Sequence, residues 1–123
     1  MWRIIFVAFL LIHAAIHVAI WATPAAKAEG APFDASKSWL LGSQRWLAMV
    51  VALAAAGLLA FAGVALWMHL DLWRAVTTAG LGVSLGLMIV WFNPWFTMIE
   101  IVNAGLLVGI AFYSWPSSEL LGA

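Results

Sequence analysis

Four long apolar stretches, each closed by polar or helix-breaking residues, divide the chain. The first covers 4–22. A polar linker over 23–45 follows, with Pro24, Lys27, Glu29, Pro32, Asp34 and Lys37. The second stretch covers 46–67, and no Asp, Glu, Lys or Arg occurs between Arg45 and Asp71. A tight junction holding His69 and Asp71 leads to the third, 73–91, where Asn93-Pro94 breaks the helix. The fourth covers 96–113 and stops before Pro116. Each is close to the ~20 residues with which a helix crosses a hydrocarbon layer of ~30 Å. The pattern predicts an all-α integral membrane protein, a single transmembrane domain over residues 1–123. Short connections after the second and third spans make neighbours antiparallel, so the expected architecture is an up-down-up-down four-helix bundle.

Composition sharpens this. Hydrophobic residues make up 67% and charged residues 8%, where soluble domains carry about 25% charged residues. The formal net charge is zero, which leaves no electrostatic footprint for nucleic acid. With no cysteine, disulfides, thiolate metal sites and redox thiols are excluded. Trp2, Trp21, Trp46, Trp67, Trp73, Trp91, Trp95 and Trp115 all fall at or beside a span end. That is where an apolar ring with one N–H settles at the headgroup level, and it predicts a tryptophan belt. Trp39 stands apart in the linker and is expected to lie flat on the surface. Arg3, the apolar run after it and Ala26-Lys27-Ala28 resemble a secretory signal. We read the segment as a retained first span that inserts like a signal anchor. Arg3 and Arg74 fall on the side of Met1, and Lys27, Lys37 and Arg45 on the other. The charge count and the anchor-like start pull orientation in opposite directions. Multi-pass insertion in the cell membrane with both termini cytoplasmic is the expectation.

Small residues mark candidate contacts between helices. Gly82 and Gly86 in the third span, and Gly105 and Gly109 in the fourth, form two G-x-x-x-G motifs, and Ala52, Ala56 and Ala60 line a strip in the second. In lipid, where packing replaces the hydrophobic drive, such residues let backbones approach. Internal packing is expected of the glycines, with an oligomer seam as the alternative.

The chemistry-bearing residues share a depth. His13 and His17 are four apart and so lie on one helix face. At the rise of an α-helix, His17 lies ~7 Å and His13 ~13 Å from the linker end of the first span. On the same scale Glu100 is ~6 Å deep, and Asn103 and Ser84 are each ~10 Å deep, all from the linker side. Ionisable groups at such depths mark candidate functional sites, because exposing them to hydrocarbon is unfavourable. For each, the competing reading is an interhelical hydrogen bond that only fixes packing. The expected arrangement is a ligand or cofactor pocket lined by His13, His17, Ser84 and Asn103, with Glu100 at its mouth. Thr77 and Thr78, in the other leaflet, can bond their own helix carbonyls.

His13, His17 and Glu100 could also form a three-ligand metal site with an open position. Two histidines on one face cannot sandwich a haem, though a single one can hold a haem or chlorin axially. The chain has no phosphate loop or nucleophile motif, so a non-catalytic protein without a cofactor is the leading expectation. A proton-coupled carrier would use Glu100 with the His pair as a relay. Small multidrug carriers place their acidic residue in the first helix, where this chain has none.

At Leu11-Ile12-His13-Ala14-Ala15-Ile16-His17 the chain resembles a loose group of small, uncharacterised four-span bacterial membrane proteins. These share H-x-x-x-H in the first helix, a polar linker, and a tryptophan-plus-turn junction before a last helix bearing Asn. Trp91, Asn93 and Asn103 are the counterparts here. The resemblance implies a four-helix fold and supplies no activity. Three readings follow. The first is a small accessory subunit packing in the bilayer against a larger complex or against itself. The second is a binder of a small molecule, metal or haem-type cofactor. The third is a small carrier.

Overall fold

Long apolar runs rich in Leu and Ala and free of Pro favour helix, and the described residues are mostly helical. The computed structural model describes residues 1–22, 34 and 37–122. Helix α1 (Trp2–His17) continues into a π-helical segment, Val18–Ala22. A two-stranded antiparallel hairpin follows, β1 (Lys37–Ser38) and β2 (Gly42–Ser43), with Lys37 opposite Ser43. Then come α2 (Arg45–Trp67), α3 (Trp73–Val90), a 3₁₀ turn (Pro94–Phe96), α4 (Thr97–Tyr113) and the short α5 (Ser118–Leu121). The four long helical segments are each long and apolar enough to cross a membrane. Their bounds lie within two residues of the predicted spans. The Ala26-Lys27-Ala28 motif and Lys27 lie outside the described residues.

The helices pack in chain order. α1 lies on α2, α2 on α3 and α3 on α4, whereas α1 and α4 have no extended contact. Helix α2 is central because it is lined with small side chains. Ala48, Ala52, Ala55, Ala56, Ala62 and Ala65 are buried on it, so both neighbours approach closely. The large core residues are Leu10, Leu59, Leu81 and Leu87, all essentially inaccessible. Each of Gly63 and Gly80 has a neighbouring helix against it. A Cβ on Gly80 would meet the Leu59 side chain at 3.0 Å, and one on Gly63 would meet Leu11 at 3.2 Å.

This corrects the packing expectation. A Cβ on Gly82, Gly86 or Gly105 would meet nothing within 4 Å, and on Gly109 it would meet only Trp115 at an ordinary 3.7 Å. The G-x-x-x-G motifs face outward, and the internal seam runs through α2 and Gly80. The tryptophans divide as well. Trp2, Trp46, Trp67, Trp95 and Trp115 are exposed, while Trp21, Trp73 and Trp91 are buried. Those three serve the core.

One end of the molecule gathers Arg3, whose guanidinium contacts the His69 ring, and Arg74, which donates to the Pro116 carbonyl at 2.6 Å. The C-terminal segment turns back there, and Leu121 joins the core beside α1. The opposite end gathers Trp21 and Trp91, edge to face with centroids 6.4 Å apart. The hairpin closes that end. The Ser38 hydroxyl donates to the Val90 carbonyl (2.6 Å), and the Trp39 indole N–H donates to the Ile89 carbonyl (2.6 Å). The last carbonyls of α3, which a helix cannot satisfy itself, are thus capped from the linker.

Candidate functional site

The site grows from the stripe of rings on α1. Phe6, Phe9, His13 and His17 recur at helical spacing, and each ring meets the next. Phe6 and Phe9 are 6.0 Å apart, Phe9 and His13 are 5.6 Å apart, and His13 stacks on His17 at 5.0 Å with 26° between planes. Both histidines are buried, at 7% and 3% exposure. The π-helical segment follows immediately after His17. It turns Trp21 inward against Trp91, and π turns inside α-helices are frequent where function requires a side chain to be re-aimed.

His17 is held at both nitrogens. Nδ1 lies 3.0 Å from the His13 carbonyl, and Nε2 lies 2.8 Å from the Ser84 hydroxyl. A carbonyl can only accept, so Nδ1 carries the proton, and in the neutral ring Nε2 accepts from Ser84. The Ser84 oxygen in turn accepts from the Asn103 amide at 2.8 Å. The chain of bonds runs from α4 through α3 to α1, Asn103 to Ser84 to His17 to the His13 carbonyl. Ser84 and Asn103 are fully enclosed. A serine–histidine pair at this distance resembles an activated nucleophile. Ser84 does not meet a substrate in this arrangement, however, because its side chain is fully enclosed and already engaged on both sides. Here the pair is a polar clamp between helices.

Where α1 and α4 part, a half-open cavity of about 250 Å³ remains. Phe9, His13, His17 and Trp21 form one wall, Phe96, Met98, Ile99 and Val102 the other, and Met88 of α3 the floor. His13 is the notable member. Its Nε2 is buried and has no hydrogen-bond partner among the described residues, and an orphaned polar atom in an apolar wall is unfavourable by roughly 1–3 kcal/mol. Asn103 Oδ1, Glu100 Oε1 and the Trp91 indole nitrogen are also buried without partners.

Sequence depth brings His13, His17, Ser84 and Asn103 to one level, and the structure brings all four together. Two expectations need correction. Ser84 and Asn103 stand behind the histidines and do not line the cavity, and Glu100, half-buried in the first turn of α4, is not at its mouth. Among the described residues no three His, Asp or Glu side chains cluster as metal ligands, so the structure does not bring His13, His17 and Glu100 together as such a set. Ser38, with its three hydrogen bonds at the end of α3, escaped sequence reasoning. The only available signal was the missing C-cap glycine after Val90. Comparison with known proteins finds no matching family model, curated protein or solved structure.

Proposed function

We propose that the chain is a multi-pass protein of the cell membrane, its helices running up and down with both termini cytoplasmic, and that it binds a small amphipathic molecule between α1 and α4. The observation that carries this reading is His13, a buried imidazole in the wall of an apolar cavity with Nε2 unpartnered. Ligand sites characteristically combine a mostly apolar lining with a few fixed polar groups. His17, held at both nitrogens, supplies the rigid support against which His13 stacks. The exposed Trp2, Trp46, Trp67, Trp95 and Trp115, all at or near helix ends, support the bilayer placement and the tryptophan belt.

Native mass spectrometry after purification in mild detergent tests the reading. A small molecule retained at one per chain is expected, with at least tenfold lower occupancy in His13→Phe. No retained molecule, or equal retention in the variant, would overturn it.

A second reading has its own support. The gap between α1 and α4 continues into a second cavity and so runs along α1 and along α4 as far as Leu106. A partner's transmembrane helix could fill it, which makes this chain a non-catalytic accessory subunit. A stoichiometric protein partner in the same preparation, lost when Val102 is replaced by Trp, would favour that reading over the first.

A further inference from the structure

The α1–α4 gap has two compartments of different chemistry. Phe9 and Val102 line both, so they form the waist between them. The compartment beside His13 is walled by rings and by the thioethers of Met88 and Met98. Flat, polarisable groups suit such walls, because rings pack edge to face or offset and sulfur makes favourable contacts with aromatic edges. The other compartment, about 320 Å³, is lined by Ile5, Phe6, Leu106, Leu120 and other apolar or tryptophan side chains, with no ionisable one among them. From Trp2 to Trp21 the groove follows α1 for roughly 28 Å at the helical rise.

Charge decides what the head of the occupant can be. Among the described residues no Lys or Arg lines either compartment. A phosphate or carboxylate head would therefore be desolvated without a counter-charge, which is strongly unfavourable. A ring bearing a carbonyl or hydroxyl asks for only one or two hydrogen bonds, and His13, whose ring lines the cavity, can give or accept one at Nε2 once a turn of the ring brings that enclosed atom to the cavity surface. We infer that the occupant is a quinone- or quinol-type lipid, its ring beside His13 and its hydrocarbon tail passing the Phe9–Val102 waist into the second compartment. This rests on the α1–α4 cleft being a ligand site. Because a tail leaving lipid for an apolar groove gains little, affinity comes from the ring, and the groove need only leave the tail room.

The test uses the full chain in nanodiscs and three probes: decylubiquinone, its tail-less parent quinone, and decanol. Both quinones should bind, and both should weaken about tenfold in His13→Phe, the loss expected for one hydrogen bond. His13→Gln, which keeps a donor and an acceptor, should retain most of the binding and shows that the effect is not misfolding. Leu106→Trp, which alters the second compartment alone, should weaken decylubiquinone at least tenfold and leave the tail-less quinone unchanged. Equal effects of Leu106→Trp on both quinones would overturn the tail path. Decanol competing as well as decylubiquinone would overturn the ring head. Either result leaves the cleft a binding site. Failure of all three probes to bind would overturn both this inference and the reading on which it rests.

Discussion

Ser84 makes two hydrogen bonds through one oxygen, so its removal orphans two groups at once. Ser84→Ala leaves His17 Nε2 and the Asn103 amide unpartnered inside the helices, and destabilisation of about 1–2 kcal/mol is expected. Thr77→Ala is the control. Thr77 is equally buried, but its hydroxyl bonds the Trp73 carbonyl of its own helix, so its loss leaves no donor or acceptor stranded between helices. Reversible unfolding in mixed micelles should rank Ser84→Ala well below Thr77→Ala. Equal stabilities would show that the clamp contributes nothing. A cycle with His17→Phe should return a coupling of at least about 0.5 kcal/mol, as for directly bonded residues. The convergence of His13, His17, Ser84 and Asn103 was legible in the sequence because helical rise is fixed, and counting from a span end therefore gives depth. Azimuth was not legible. Rise says nothing of how α4 is rotated or whether it closes against α1, and so depth alone puts Glu100 at a mouth it does not line.

At the level of elements, the sequence shows where each helix starts and stops, since polar and Pro residues interrupt the apolar runs cleanly. It shows less about which small residues lie in the seams. Gly82-x-x-x-Gly86 has the motif but faces outward, whereas Gly80, two residues earlier, lies against Leu58 and Leu59 of α2. A motif records spacing along one helix, and the partner's side chains decide which face is used. Gly80→Leu should destabilise by at least about 1–3 kcal/mol, because Leu59 is fully enclosed and cannot yield. Gly82→Leu and Gly105→Leu should stay within about 0.5 kcal/mol of wild type as single chains. Thermal unfolding by circular dichroism checks the ranking, and a larger loss at Gly82 than at Gly80 would invert the helix assignment. Ser38 belongs to this scale too, because it joins the linker hairpin to the end of α3. Ser38→Ala removes a donor to Val90 and an acceptor for Leu40 and Leu41. Faster amide exchange at Leu40 and Leu41 is expected. Unchanged exchange there would mean that the hairpin is held by other contacts.

For the whole molecule, the contacts that join distant parts of the chain also sort it into two ends. Arg3 with His69, and Arg74 with Pro116, bring the start of α1, the α2–α3 junction and the C-terminal segment together. Ser38 with Val90 and Trp21 with Trp91 place the hairpin with the far ends of α1 and α3. If the proposed bilayer placement holds, Trp2 and Leu120 share one aqueous side and Ser43 faces the other. The chain has no cysteine, so Trp2→Cys, Ser43→Cys and Leu120→Cys each give a single reporter. An impermeant maleimide added to intact cells should label Ser43→Cys alone, with the other two labelled only after lysis. Labelling of Trp2→Cys and Leu120→Cys from opposite sides would remove the up-down arrangement. Cationic residues are nearly balanced, with Arg3 and Arg74 at one end against Lys37 and Arg45 toward the other, and with Lys27 in the linker sequence. Because Lys and Arg near span ends bias insertion toward the cytoplasm, so small a difference leaves orientation sensitive to single charges. Lys37→Gln should therefore strengthen the cytoplasmic placement of the termini, and Arg3→Gln should move part of the population to the inverted form. The readout is the fraction of Ser43→Cys labelled before lysis, which should rise in the first background and fall in the second. No change in either would show that the anchor-like first helix, and not the charge count, sets the orientation.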